Sequence, residues 1–447
     1  MDELNREELR DRILSEVAEY HRRFIAPAEA GPFKPGVDRI NYAGRRFDAG
    51  EMVNLVDSAL EFWLTYGRFS REFEKKLAEY LGVRYALLVN SGSSANLLAF
   101  AALTSPLLGE RRIRRGDEVI TVACGFPTTV APAVQYGAVP VFVDVEAATA
   151  NIDPTQLEAA YSPRTRAVMI AHTLGNPFDI RAVKAFCDRH GLFLVEDNCD
   201  ALGSRYDGKA TGTWGDIGTS SFYPPHHLTM GEGGAVYTDD LLLKKILLSL
   251  RDWGRDCWCE SGRDDTCGCR FTRQFGKLPV GYDHKYVYSH FGYNLKATEM
   301  QAAIGCAQLE KLPGFTRRRQ ENYAFLREAL RDLPQLRFME KYPESEPSWF
   351  GFLITLADGA GFRRNDLVKF LESRKIQTRN LFAGNILRHP CFETLEEGRD
   401  YRVSGKLVNT EKIMNDSFWI GVYPGMSEGK LAYMAESIRE FCLKKAF

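Results

Sequence analysis

Residues 220–234 read Ser220-Ser221-Phe222-Tyr223-Pro224-Pro225-His226-His227, then Leu228-Thr229-Met230-Gly231-Glu232-Gly233-Gly234. Two upstream segments give this stretch its meaning. Ser91-Gly92-Ser93-Ser94-Ala95-Asn96 follows one apolar run and opens a helical one, and Val195-Glu196-Asp197-Asn198 closes another apolar run. Small residues let a backbone approach a phosphate closely, and a helix N-terminus offers free N–H donors and the positive end of a dipole. The same residues also read as a plain helix cap, since serine is among the best. Asp197 stands where ligands bind in open α/β sheets, beyond the carboxyl ends of strands. A carboxylate there suits Mg²⁺, a ribose or the ring nitrogen of a pyridine cofactor, or simply ends a strand in solvent.

From residue 50 to about 240, apolar runs alternate with helical stretches. The runs are Tyr85–Val89, Glu118–Val122, Val139–Val145, Ala167–Ala171 and Leu192–Glu196. Between them lie the helical candidates Ser70–Tyr80, Ser93–Leu107, Pro154–Ala160 and Ile180–His190. This alternation predicts βαβ units and a mainly parallel sheet buried on both faces. Ala297–Leu312 reads as another helix, and a second α/β unit follows, with strands near Trp349–Leu356 and Phe418–Val422. At the start, Leu9, Ile13, Val17, Tyr20 and Phe24 recur in steps of three and four, predicting an amphipathic helix over 5–24. The expected divisions are an N-terminal helix and extended lead-in (1–48), a large domain (49–312) and a small C-terminal domain (313–447).

The 447 residues carry 58 Lys+Arg against 59 Asp+Glu, a formal net charge of −1. That balance argues against a nucleic-acid partner, which usually selects a basic excess. No run approaches the ~20 apolar residues of a membrane span. The charged opening MDELNREELRDRILSEV lacks the apolar stretch of a signal peptide. A cytoplasmic enzyme with no membrane partner is expected, and its ten cysteines need a role other than disulfides.

Cys257, Cys259, Cys267 and Cys269 fall in residues 253–290, an aperiodic stretch of a length that is usually functional or disordered. Cys199 follows Asp197 by two residues. Five thiols suffice for a four-thiolate site holding either a 2Fe–2S cluster or structural zinc, and free thiols are the third reading. Zinc more usually shows Cys-x-x-Cys pairs, so the Cys-x-Cys spacing leans towards iron–sulfur. Cys124, Cys187, Cys306, Cys391 and Cys442 lie in apolar or helical contexts and read as packing residues.

The order of these motifs resembles the fold-type I pyridoxal-phosphate enzymes, and within them the aminotransferases of nucleotide-linked keto-sugars. The resemblance runs from Gly67-Arg68-Phe69 through Phe291-Gly292-Tyr293-Asn294 to Phe418-Trp419-Ile420-Gly421. It implies an aspartate aminotransferase-like α/β fold with a large cofactor-binding domain and a smaller C-terminal one. By the same resemblance, Gly92, Ser93 and Ser221 bind the cofactor phosphate, Phe126 stacks on its ring and Asp197 pairs with its ring nitrogen. Asn294 matches the residue that reaches the neighbouring subunit's phosphate, which implies a homodimer.

Two positions depart from the family pattern. His226 stands where the family usually has the lysine that tethers the cofactor, and Asp200 stands where the aminotransferases typically have glutamine. An imidazole has no primary amine. The functional reading is therefore an untethered pyridoxamine 5'-phosphate with His226 as base; the bland one is a dead enzyme with His226 as packing.

Within that branch, the chain resembles the 3-dehydrases that combine pyridoxamine phosphate with a 2Fe–2S cluster. The strings SFYPPHHLTMGEGGAV and RDWGRDCWC carry this likeness. It implies Cys199, Cys257, Cys259 and Cys267 as cluster ligands, with Cys269 left out. The implied reaction removes the 3-hydroxyl of a nucleotide-linked 4-keto-6-deoxyhexose, with CDP-4-keto-6-deoxyglucose the expected substrate, in 3,6-dideoxyhexose and O-antigen biosynthesis. Electrons would come singly from a separate NAD(P)H-dependent iron–sulfur flavin reductase. The rival readings are a cluster-independent colitose-type 3-dehydrase, a dTDP-sugar 3-dehydrase, a zinc clip, and a non-catalytic sensor that binds cofactor or cluster.

Overall fold

The computed structural model describes residues 5–29, 31–259 and 262–444. Positions 1–4, 30, 260–261 and 445–447, which fall within the expected divisions and the cysteine-rich stretch, lie outside the described residues. The apolar runs become strands Tyr85–Val89, Glu118–Val122, Val139–Val143, Thr165–Ala171 and Phe193–Asp197. Two strands that the hydropathy pattern does not predict, Ile217–Ser221 and Gly234–Thr238, join the same sheet. Ile217–Ser221 is mostly Gly, Ser and Thr, and Gly234–Thr238 carries only the three-residue apolar run Ala235-Val236-Tyr237. Their burial comes from sheet neighbours and from Tyr237, whose hydroxyl reaches Thr219 O at 3.2 Å.

The sheet runs in the order 85–89, 234–238, 217–221, 193–197, 165–171, 118–122, 139–143, with the short strand Arg402–Val403 on its edge. Gly234–Thr238 is antiparallel to both of its neighbours, and the remaining pairings are parallel. Helices cover both faces, which explains runs that are continuously apolar rather than alternating. Gly92–Leu103 is the most enclosed, with Ala95, Asn96 and every residue from Leu98 to Leu103 buried. The pairing Ala171↔Asp197↔Thr219 lines up three residues at the carboxyl end of the sheet. That end carries the site.

A second, antiparallel sheet orders Leu336–Phe338, Gly351–Leu356 and Ser417–Gly421, with helices Arg364–Ser373 and Glu428–Lys444 beside it. The helix expected over Ala297–Leu312 instead spans Glu299–Leu330 and carries Pro313 inside it. A proline removes one backbone hydrogen bond and usually ends a helix. Here both halves are anchored. The first packs on Ala49–Glu61 and Arg68–Leu81, and the second buries Arg319, Tyr323, Leu326 and Leu330. Position 312/313 therefore lies inside a helix shared by the two units.

One further expectation needs correction. The N-terminal α-helix covers Arg6–Tyr20, then continues through a π-helical turn, His21–Ile25, and Ala26–Glu29, so the lead-in begins helical. Its apolar stripe is not buried; Leu9 and Tyr20 are exposed, and Arg10 holds the helix to Glu61 at 2.8 Å. Among the described residues, the 253–290 stretch holds no regular element beyond the short turn His284–Tyr286, and backbone bonds such as Asp256 N to Val287 O at 2.9 Å pin it down. Among the described residues, no helix is long and apolar enough to cross a membrane.

Candidate active site

The carboxyl end of the sheet opens on a cavity of about 640 Å³. Gly92, Ser93, Phe126, Asp197, Cys199, Asp200, Ser221 and His226 all line it. Strand ends deliver Asp197 and Ser221, a helix start delivers Gly92 and Ser93, and the 222–233 loop delivers His226. Asn294 is exposed and does not line this cavity.

The phosphate-type turn is both a cap and a cavity wall. Ser91 Oγ accepts from Ser94 N at 3.0 Å, as an N-cap should. A Cβ on Gly92 would lie 2.4 Å from Ser221 Cβ, and one on Gly234 would lie 2.4 Å from the Ser91 carbonyl. Only glycine permits these crossings.

Asp197 is nearly fully buried at the base of the cavity. Its Oδ2 accepts from Asn96 Nδ2 and from Thr129 Oγ1, each at 2.7 Å, and its Oδ1 accepts from Cys199 N at 3.2 Å. Thr219 Oγ1 in turn donates to Asn96 Oδ1 at 2.7 Å. These contacts fix the carboxylate's direction. The adjacent Glu196, on the opposite face of the strand, does different work. It accepts from the N–H groups of Gly212, Trp214 and Gly215 at 2.6–2.8 Å and pairs with His172 Nε2 at 3.0 Å, so it is a structural clamp.

His226 stacks on Phe350, with ring centroids 5.1 Å apart, and its Nδ1 lies 3.5 Å from Asp200 Oδ1. Burial pushes its imidazole down to about 4, against the pull of Asp197. Burial also pushes the Asp200 carboxyl well up, with Asp197 adding and Arg319 opposing. Burial and Asp197 hold the Cys199 thiol well above its ordinary range. Phe126 is half exposed at the cavity wall and meets Phe382 edge-on at 5.7 Å.

The cysteines divide between two places. Cys199 sits on the cavity wall. Cys257 and Cys267 instead gather with His284, their ligand atoms within 4.8 Å of one another, and this is the only such group among the described residues. His284 Nδ1 lies 3.7 Å from Cys267 Sγ and 3.4 Å from Cys269 Sγ, while its Nε2 faces Asp256 Oδ1 at 3.1 Å. Burial alone would raise the Cys259 thiol, but contacts with Thr266, Cys257 and Cys267 bring it down to about 7. The loop thus offers a donor set of a kind that holds a metal, and neither Cys199 nor Cys259 belongs to that three-residue group. Cys391 is exposed, which corrects its reading as a packing residue.

Several residues of the site escape sequence reading. Asn96 lies in the turn motif, but its bond to Asp197 crosses 101 positions. Arg319 is the last of three consecutive arginines, Arg317-Arg318-Arg319, yet it is 1% exposed. His284 carries no motif of its own. None has a local signal, because each is defined by partners distant in sequence.

The chain matches the model of the DegT/DnrJ/EryC1/StrS aminotransferase family over residues 47–439. It is 53% identical over 434 residues to the lipopolysaccharide biosynthesis protein RfbH of Salmonella typhimurium, covering 97% of this chain and 98% of that one. It is also 53% identical over 437 residues to dTDP-4-dehydro-2,6-dideoxy-D-glucose 3-dehydratase of Saccharopolyspora spinosa, covering 98% and 93%. Among solved structures, E. coli GDP-4-keto-6-deoxy-D-mannose-3-dehydratase with bound hydrated PLP aligns with a TM-score of 0.79 at 30% identity, covering 90% of this chain and 100% of that one.

Proposed function

Because the chain belongs to the DegT/DnrJ/EryC1/StrS aminotransferase family, we propose that it is a pyridoxamine-phosphate-dependent 3-dehydrase of a nucleotide-linked 4-keto-6-deoxyhexose, working in deoxysugar biosynthesis. One observation carries this reading. At the wall of a cavity built around Asp197 stands an imidazole, His226, which cannot tether the cofactor but can move a proton.

The residues present fit the cofactor. The glycine-dependent crossing of Gly92, Ser93 and Ser221 is a cradle for a phosphate, and the oriented Asp197 carboxylate suits a protonated ring nitrogen. Phe126 offers a face to the ring. When bound, pyridoxamine phosphate supplies a primary amine for the sugar ketone and a conjugated ring that accepts electron density as the 3-hydroxyl leaves. His226, held neutral above about pH 4 by burial, accepts the proton. Exposed Asn294 is left for the cofactor phosphate of a neighbouring subunit, so the working unit is a homodimer.

The loop thiols support a second element, a 2Fe–2S centre fed by a separate NAD(P)H-dependent iron–sulfur flavin reductase. Cys257, Cys259 and Cys267 are its loop ligands. Cys199 lies on the cavity wall. The relative named for a dTDP-sugar and the sequence likeness to CDP-sugar enzymes leave CDP and dTDP as the candidate carriers.

The test is a panel of CDP-, dTDP- and GDP-linked 4-keto-6-deoxy sugars with added pyridoxamine phosphate. Loss of the 3-hydroxyl that depends on the cofactor and vanishes in His226→Asn supports the reading. Formation of an amino sugar, or no turnover on any carrier, overturns it.

A further inference from the structure

His226 is constrained on three sides. Phe350 covers one face of its ring at an interplanar angle of 25°. Arg319 Nη2 donates to the His226 carbonyl at 3.1 Å, and Nη1 of the same guanidinium donates to Trp349 O at 3.1 Å. On the third side, Nδ1 is buried without a hydrogen-bond partner, and Asp200 Oδ1 lies 3.5 Å from it. The ring's other polar neighbour in the protein is the Cys199 backbone; Nε2 is not among the buried unpaired atoms and His226 lines the cavity, so Nε2 is the nitrogen left to face it.

An imidazole that accepts a proton at Nε2 must already carry its hydrogen on Nδ1. A buried N–H without an acceptor is unfavourable, and the neutral ring would otherwise favour the opposite tautomer. Asp200 is a carboxyl, a few tenths of an ångström beyond ordinary hydrogen-bond range, facing that atom.

We propose that Asp200 is the positioning residue of His226. It accepts from Nδ1–H, fixes the tautomer that is basic at Nε2, and aims Nε2 at the cavity, while Arg319 secures the backbone beneath. The proposal rests on His226 being the base, and it assigns Asp200 a partner within the protein rather than a contact to the cofactor.

The test records ¹⁵N-histidine spectra of the protein with pyridoxamine phosphate, assigning His226 by its loss in His226→Asn. Hydrogen on Nδ1 is expected in the native protein. Asp200→Asn has the same shape, but its amide can donate to Nδ1. It should therefore shift the hydrogen to Nε2 and lower kcat on CDP-4-keto-6-deoxyglucose by about tenfold or more, as a wrong tautomer does elsewhere, with KM little changed. Asp200→Glu, which restores a carboxylate, should return the Nδ1–H signal. Hydrogen on Nε2 in the native protein, or Asp200→Asn with native spectrum and kcat, overturns the proposal. Normal turnover by His226→Asn would sink the base assignment instead, while the spectra still report on Asp200.

Discussion

Gly92 and Ser221 approach so closely that a methyl group on Gly92 would lie 2.4 Å from Ser221 Cβ. The start of the enclosed helix and the end of strand Ile217–Ser221 therefore meet only because one partner has no side chain. Gly92→Ala should force them apart and spoil the phosphate cradle. Affinity for pyridoxamine phosphate should fall at least about tenfold, or ~1.4 kcal/mol, in a fluorescence titration. Unchanged affinity would place the phosphate elsewhere.

Thr129 and Asn96 both donate to the same oxygen of Asp197. Thr129→Val keeps the shape and deletes one donor to a buried carboxylate. A stability loss of about 1–3 kcal/mol is expected in chemical denaturation, with weaker cofactor binding. Asp197→Asn should bind pyridoxamine phosphate but lose turnover, because an amide does not favour a protonated ring nitrogen.

His226→Asn should lower turnover by about 10²–10⁴-fold, the usual contribution of a general base. The pH profile gives a sharper check. A base works unprotonated, so activity persists above its folded pKa and falls as pH drops through it. With burial holding His226 near about 4, kcat/KM should stay level from pH 8 down to roughly 5 and decline below that. A limb near the ordinary histidine value of ~6.5 would show that burial does not act on this imidazole.

Protein purified without oxygen should be brown, bleach with dithionite and carry about two iron atoms per chain. Cys257→Ser and Cys267→Ser should lose the metal, and Cys269→Ser should keep it. Cys199→Ser separates the two donor sets. Loss of iron means that Cys199 closes on the loop, whereas retention together with loss in His284→Ala means that the loop binds with its own histidine. Colourless protein with stoichiometric zinc would remove the electron-transfer role.

Glu196 supplies a stability prediction. Burial alone would raise its carboxyl, but His172 and the N–H groups of Gly215 and Gly212 hold it below its usual range. A carboxylate with a depressed folded pKa contributes stability above its unfolded value of ~4.3 and loses it as pH falls. Glu196→Gln should therefore destabilise the fold near neutrality, by about 1–3 kcal/mol for a mismatched buried partner, and flatten the acid side of the pH–stability curve. An identical acid profile in thermal melts would discount the clamp.

The sequence alone determined the sheet-and-helix alternation, the strand-end position of Asp197, the turn at Gly92 and the exchange that puts His226 in a lysine's place. Each is local: a run of apolar residues, a cap, or a residue type at a fixed spacing. It missed strands Ile217–Ser221 and Gly234–Thr238 because the first is mostly Gly, Ser and Thr and the second has an apolar run of only three residues. It also ended the long helix at Pro313, where packing on both sides outweighs one lost hydrogen bond. Only the tertiary structure decided that Asn96 and Thr129 hold Asp197, that Arg319 lies beneath His226, and that Asp200 faces Nδ1. It alone put Cys199 on the cavity wall and His284 among the loop thiols. Those relationships join residues from about twenty to more than a hundred positions apart, and chain folding, not composition or spacing, brings them together.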